Sequence, residues 1–207
     1  TEALFNTSPY KTFKLKSSEI TQEMIQHGVG KTWVFFNFSH MDKNLIPLIV
    51  QNLYYFVVEY DYKFCAYRSI EKHFNETGQK CNCHTEPIGK FISAFFHGAE
   101  HIFWMSNKQR EIYNKKFPFL KNSKNTVLSS IFDIKDLEYI ERLRNARENI
   151  KIKKEFVVVD SSSWIKGVNE TKQYLEKNNI NYKLLSNLSY HELLKTLSEY
   201  SGLAFMP

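Results

Sequence analysis

Apolar residues recur along this chain in two spacings: short continuous runs, and stripes that return every three or four positions. The runs at residues 32–38, 53–59, 101–105, 126–129, 156–159, 182–186 and 202–206 are rich in valine, phenylalanine, tyrosine and leucine. Runs of this kind, bounded by polar residues, predict strands buried on both faces. Helices are predicted between them. Ile20, Met24 and Ile25 share one helical face, which Gly28 ends. Leu45, Ile46, Leu48 and Ile49 suggest a helix begun near Asp42, with Pro47 tolerated in its first turns. Further helices are expected at 88–96, at 108–116 behind a Ser106 cap, at 168–178 and at 190–200. Residues 133–149 are mostly charged, with a thin stripe of Ile134, Leu137, Ile140 and Leu143. That pattern predicts an exposed helix linking two domains.

Strict alternation of strand and helix reads as an α/β protein with parallel, doubly wound sheets. The expected domains are 1–149, with a polar irregular insert at 65–86, and 150–207, a second half only three strands long. Ligands of such sheets sit at the carboxyl ends of strands. In the first domain that rule selects Asn37, Tyr60, Lys63, Arg68, Ser106 and Ser130 as lining a cleft. In the second it selects Ser161, Ser162, Ser163, Lys166 and Gly167. There a valine run breaks into a serine turn just before a helix, where unpaired N–H groups and the helix dipole favour an anion. The alternative is an ordinary turn with a serine cap and a solvated lysine. A cation is mildly disfavoured beside a helix N-terminus, so a phosphate role suits Lys166 better.

Composition narrows the classes of function. The 207 residues carry a formal net charge of +6, 43% hydrophobic and 15% aromatic residues. The surplus of charge suits a phosphate-bearing partner or plain solubility. Lysines are scattered, without the dense basic block of a nucleic-acid binder. No apolar run approaches the ~18 residues of a membrane span. An odd number of cysteines, three, and an N-terminus unlike a signal peptide point to a reducing, cytoplasmic setting.

All three cysteines fall in the polar insert, in the pattern C-x7-H-x7-C-x-C-H formed by Cys65, His73, Cys81, Cys83 and His84. Thiolate and imidazole are the ligands zinc prefers, and four close a structural site. Adjacent Cys83 and His84 can rarely both reach one ion, so the expected set is Cys65, His73, Cys81 and Cys83. Free buried thiols and a Cys65–Cys81 disulfide are the competing readings.

The order of several segments resembles a known family. HIFWMSNKQREIYNKKFP, NTVLSSIFD, EFVVVDSSSWIKG and YHELLKTLSEYSGLAFMP follow one another as in retaining, nucleotide-sugar-dependent glycosyltransferases of the GT-B fold. The matching positions are Met105-Ser106, the stretch from Val127 to Asp133, Lys166-Gly167, His191-Glu192-Leu193-Leu194, and Gly202 to Pro207. The resemblance covers residues 100–207, and 30–65 more loosely; order and spacing carry it, not any single motif. It implies two Rossmann-like halves and transfer of a sugar from a nucleotide diphosphate sugar to a carbohydrate or other acceptor, with no cofactor required. It implies a donor diphosphate between the domains, near Lys166. It also implies a reactive pair after an N-terminal strand, where Tyr60-Asp61 stand in place of a histidine–aspartate pair. Asp61 is the catalytic candidate, and pairing with Lys63 or Arg68 is its structural alternative. The family's paired donor glutamates, E-x7-E, would follow Pro207, so the chain is expected to be an incomplete and inactive piece. A non-catalytic sugar- or partner-binding module and a transferase acting on DNA bases are the other functional readings.

Overall fold

The computed structural model describes residues 2–163 and 166–205, and the chain divides into two compact units, Thr1–Ile131 and Phe132–Pro207. The first unit contains α1 (Glu2–Asn6), α2 (Gln22–His27), β1 (Thr32–Phe35), α3 (Ile46–Asn52), β2 (Tyr54–Glu59), α4 (Ile70–Thr77), α5 (Pro87–His97), β3 (His101–Trp104), α6 (Asn107–Lys116) and β4 (Asn125–Val127). Thr21 caps α2 by accepting from Met24 N, so the helix begins later than its apolar spacing suggests and Ile20 lies outside it in extended conformation; Gly28 closes the helix as expected. Asp42 caps a 3-10 turn that leads into α3, whose first positions hold Pro47.

All four strands are parallel, in the order β1-β2-β3-β4. That order never reverses, so among the described strands this sheet lacks the switch point of a doubly wound sheet. Phe35, Tyr55, Val57, Ile102 and Trp104 join Ile25, Ile49, Phe95 and Phe96 in one core. The alternate positions Val34 and Tyr54 stay half exposed. Aromatic residues fill this core edge to face: Phe35 meets Phe95 with ring centroids 5.2 Å apart, and Tyr55 stacks on Phe95 at 5.1 Å. The buried Tyr55 hydroxyl is satisfied by donating to Phe95 O at 2.5 Å.

The insert is more ordered than its polarity predicts. Residues 70–77 are helical, because Ser69 accepts from Lys72 N at the start and Gly78, at φ 68°, ends the helix in the left-handed region. Only His73 of this helix is fully buried, and Ile70 packs half-buried against the core, so its apolar stripe is too short to announce it.

In the second unit α7 (Ile134–Arg147), β5 (Lys153–Val159), α8 (Val168–Lys177), β6 (Tyr182–Leu185), α9 (Tyr190–Ser198) and β7 (Tyr200–Leu203) follow in turn. Its parallel strands lie in the order β6-β5-β7. Successive residues of the central strand feed opposite faces. Val157 packs with Leu185 and Tyr200 beneath Leu193 and Leu197 of α9, and Val158 packs with Val168 and Leu175 of α8. Helix α7 belongs here instead of closing the first domain at 149. The Tyr139 hydroxyl donates to His191 O at 3.3 Å, and Arg147 Nη2 donates to Tyr200 O at 2.9 Å. Residue 206, at the end of the expected last strand, lies outside the described residues.

Candidate metal centre and strand-end loops

Cys65, His73, Cys81 and Cys83 converge as the spacing predicts. All four are buried, and one ligand atom of each lies within 4.8 Å of the others. His73 Nδ1 stands 3.7 Å from Cys65 Sγ and 3.5 Å from Cys83 Sγ. Three separate local structures bring them in. Cys65 sits in the turn after β2, where its N–H donates to Tyr62 O at 2.8 Å and its carbonyl accepts from Arg68 N at 2.9 Å. His73 projects from α4. Cys81 and Cys83 lead into a 3-10 turn, Cys83–Thr85, held against α5. Lys116 donates to Cys81 O at 2.8 Å. Gly89 makes the close seat on α5 workable, because a Cβ there would stand 2.3 Å from His84 O and 2.4 Å from Cys83 O. His84 stays out of the group, and its ring meets Phe117 edge-on. The three cysteines are free thiols, which disposes of the Cys65–Cys81 disulfide reading here. Burial pushes the Cys81 thiol up to about 12, and its sulfur neighbours add to the shift. A Cys3His group of this kind can hold a soft divalent metal such as zinc.

One loop earlier, at the carboxyl end of β2, lies a second cluster. Lys63 is turned inward, not toward an open cleft, and is only 3% exposed. Its ammonium lies 3.3 Å from Glu59 Oε1 and 3.1 Å from Asp61 Oδ1. Arg68 donates to the other Asp61 oxygen, Oδ2, through Nε at 2.8 Å and through Nη2 as well. The backbone of Asp61 is pinned too: its carbonyl accepts from Gln109 Nε2 at 3.2 Å and from the Tyr113 hydroxyl at 3.3 Å. Asp61 therefore makes the ion pairs of its structural alternative, with both Lys63 and Arg68. Burial pushes the Glu59 carboxyl up to about 7, against the opposing pull of Lys63. Glu59, Gln109 and Tyr113 escaped the reading of the sequence. The one signal was a charged residue closing an apolar strand four positions before a lysine.

Other strand-end residues are exposed or engaged locally. Asn37 is exposed, and its Oδ1 accepts from Ser39 Oγ at 2.8 Å. Ser106 spends its hydroxyl as the cap of α6, accepting from Gln109 N at 3.1 Å. Tyr60 and Ser130 are exposed.

In the second unit, β5 ends in the Ser161–Ser163 turn. Ser161 Oγ accepts from Ser163 N at 3.2 Å, and Lys166 N donates to Ser163 O at 3.0 Å. Lys166 is exposed, and residues 164 and 165 lie outside the described residues. Gly167 precedes α8 at φ 57°, a left-handed conformation suited to glycine, and no side chain caps the helix there. With the order β6-β5-β7, the chain reverses direction across the sheet beside this loop. Such a switch point is where ligands of open parallel sheets bind. Among the described residues no helix is long and apolar enough to cross a membrane. No family model, curated protein or solved structure matches this chain.

Proposed function

We propose that this chain belongs to a glycosyltransferase that moves a sugar from a nucleotide diphosphate sugar to an acceptor hydroxyl. The observation that carries the reading is the position of the Ser161–Ser163 turn and of Lys166-Gly167. The turn follows the central strand at the reversal of the second sheet, and α8 begins directly after Gly167. The order of sequence segments from 101 to 207 supports the same assignment. In this reading Ser161, Ser162, Ser163 and Lys166 hold the diphosphate. Transfer breaks the bond between the anomeric carbon and the diphosphate oxygen and forms one to the acceptor oxygen, whose proton passes to the departing diphosphate. Lys166 and the α8 dipole stabilise the charge that gathers on the departing diphosphate. Asp61 accepts a hydrogen bond from a reacting hydroxyl. Any metal in the Cys65, His73, Cys81 and Cys83 group is structural and takes no part in transfer.

The test is calorimetric titration of nucleoside diphosphates into the chain. Binding should be present and should weaken about tenfold or more in Lys166→Ala, as expected for loss of a charge-assisted contact. Binding that Lys166→Ala leaves unchanged would refute the assigned phosphate site. The engagement of both Asp61 oxygens favours a second reading, a module that binds the nucleotide without turnover. A transfer assay of the full-length protein separates the two.

A further inference from the structure

We propose that Cys65, His73, Cys81 and Cys83 form a closed zinc site. Its metal, together with the packing of Ile70 on the core, docks α4 and holds the turn that presents Arg68 to Asp61. The zinc assignment stands independently of the sugar-transfer reading.

Geometry comes first. Tetrahedral zinc with Zn–S of ~2.3 Å and Zn–N of ~2.0 Å sets a sulfur–nitrogen edge of about 3.6 Å. The two sulfur–nitrogen separations at His73 Nδ1 are 3.7 and 3.5 Å. No pair of ligand atoms in the group exceeds 4.8 Å, so closing on a metal needs shifts of roughly 1 Å at most, given the ~3.8 Å sulfur–sulfur edge of the same tetrahedron. Three sulfurs and one nitrogen fill the coordination shell, leaving no open position for substrate. That composition marks a structural site. On binding, the three thiols lose their protons to solvent, and the site carries one net negative charge.

The second argument is what the helix lacks. Among the residues of α4, His73 alone is buried; Ile70 packs half-buried against the core at the start of the helix, and Phe74 is 53% exposed. A helix of eight residues is marginal by itself. An imidazole among thiols gives little dispersion or hydrogen bonding to hold it. A metal–imidazole bond fixes the middle of the helix, where the Ile70 contact at its first residue does not reach. The third argument links the site to the neighbouring loop. Arg68 has φ 57°, an unfavourable left-handed conformation for a long side chain. Backbone bonds from Arg68 N to Cys65 O and from Tyr62 N to Arg68 O close the turn around it. Fixing Cys65 on a metal over-determines that turn, and the Arg68 guanidinium is thereby held on Asp61.

The chain, purified without a histidine tag from zinc-supplemented cells, should contain close to one zinc per molecule by elemental analysis. Cys65→Ser and Cys83→Ser should each weaken zinc binding by more than the ~10–100-fold that losing a supporting partner costs. Should these variants fail to fold, the native chain decides, with zinc exchanged for cobalt(II). Strong tetrahedral ligand-field bands with thiolate charge transfer are expected. Zinc removal should speed amide hydrogen exchange at 62–86 and leave 153–203 unchanged. Folded protein with well under one zinc per chain, iron in its place, an octahedral cobalt spectrum, or zinc retained after both substitutions would overturn the site. Full zinc occupancy whose removal leaves exchange at 62–86 unchanged would overturn the docking role. None of these readouts depends on sugar transfer.

Discussion

The ammonium of Lys63 lies 3.3 Å from Glu59 Oε1, and the two side chains are 2% and 0% exposed. One lysine thus neutralises a sealed carboxyl at the end of β2 and also reaches Asp61 on the rim. Removing one partner of such a pair strands the other in low dielectric, which typically costs about 3–5 kcal/mol. Lys63→Met should therefore destabilise the first unit by that order, measured by urea unfolding. Lys63→Arg should cost less.

The same pair sets a pH dependence. Glu59 is raised from 4.5 to about 7 in the folded chain, chiefly by burial. A raised carboxyl means that the folded state holds its proton more tightly. Its contribution is complete below the unfolded value and is lost as pH rises through the folded one. Unfolding free energy should therefore fall between about pH 4.5 and 7, by roughly 3 kcal/mol if the whole shift is expressed. Glu59→Gln should flatten that slope. A wild-type chain whose stability rises across this interval would contradict the assignment.

On the proposed reading Asp61 acts in transfer as well as in the fold. Its Arg68 partner is exposed, but Lys63 is 2% and Asp61 22% exposed, so Asp61→Asn should cost more than the about 0–1 kcal/mol of an exposed pair and less than the about 3–5 kcal/mol of a sealed one, read from melting curves. In a transfer assay of the full-length protein the same substitution should lower the rate about 10²-fold or more, the low end for a group acting on a reacting hydroxyl. Equal rates would assign Asp61 to scaffolding alone.

At Gly89 two effects compete. Alanine in a helix is better than glycine by about 1 kcal/mol. The added Cβ would, however, stand 2.3 Å from the His84 backbone, and overpacking costs about 1–3 kcal/mol. The contact is with backbone, which cannot swing aside. Gly89→Ala should be net destabilising in thermal melts and should loosen the Cys83–Thr85 turn.

Ser106 gives a control. Its hydroxyl caps α6, so Ser106→Ala should cost about 1 kcal/mol of stability. Nucleoside diphosphate affinity should not change.

Much of the chain's local structure was legible from the sequence alone. Strands announce themselves as continuous apolar runs, though one face of several stays half exposed, and the Ser106 cap marks the start of α6 by chemistry local to its turn. The parallel α/β class followed from the alternation of these elements. The convergence of Cys65, His73, Cys81 and Cys83 was also legible, because soft ligands crowded into one polar segment. The order β1-β2-β3-β4 was not, since a crossover leaves no mark on the residues that say which edge of a sheet it joins. Helix α4 was hidden for the opposite reason. Its apolar face is only Ile70 and Phe74, and its one buried side chain is an imidazole among sulfurs that lie 8 and 10 residues away in the chain. Glu59, Tyr113 and Gln109 also required the fold. Their meeting at Asp61 joins strand β2 to helix α6 across about fifty residues of chain (separations of 48 and 52). Local spacing sets propensity and periodicity, whereas burial and charge pairing depend on which distant segments pack together. Only tertiary structure could therefore decide that Lys63 points inward and that Asp61 is held by two cations.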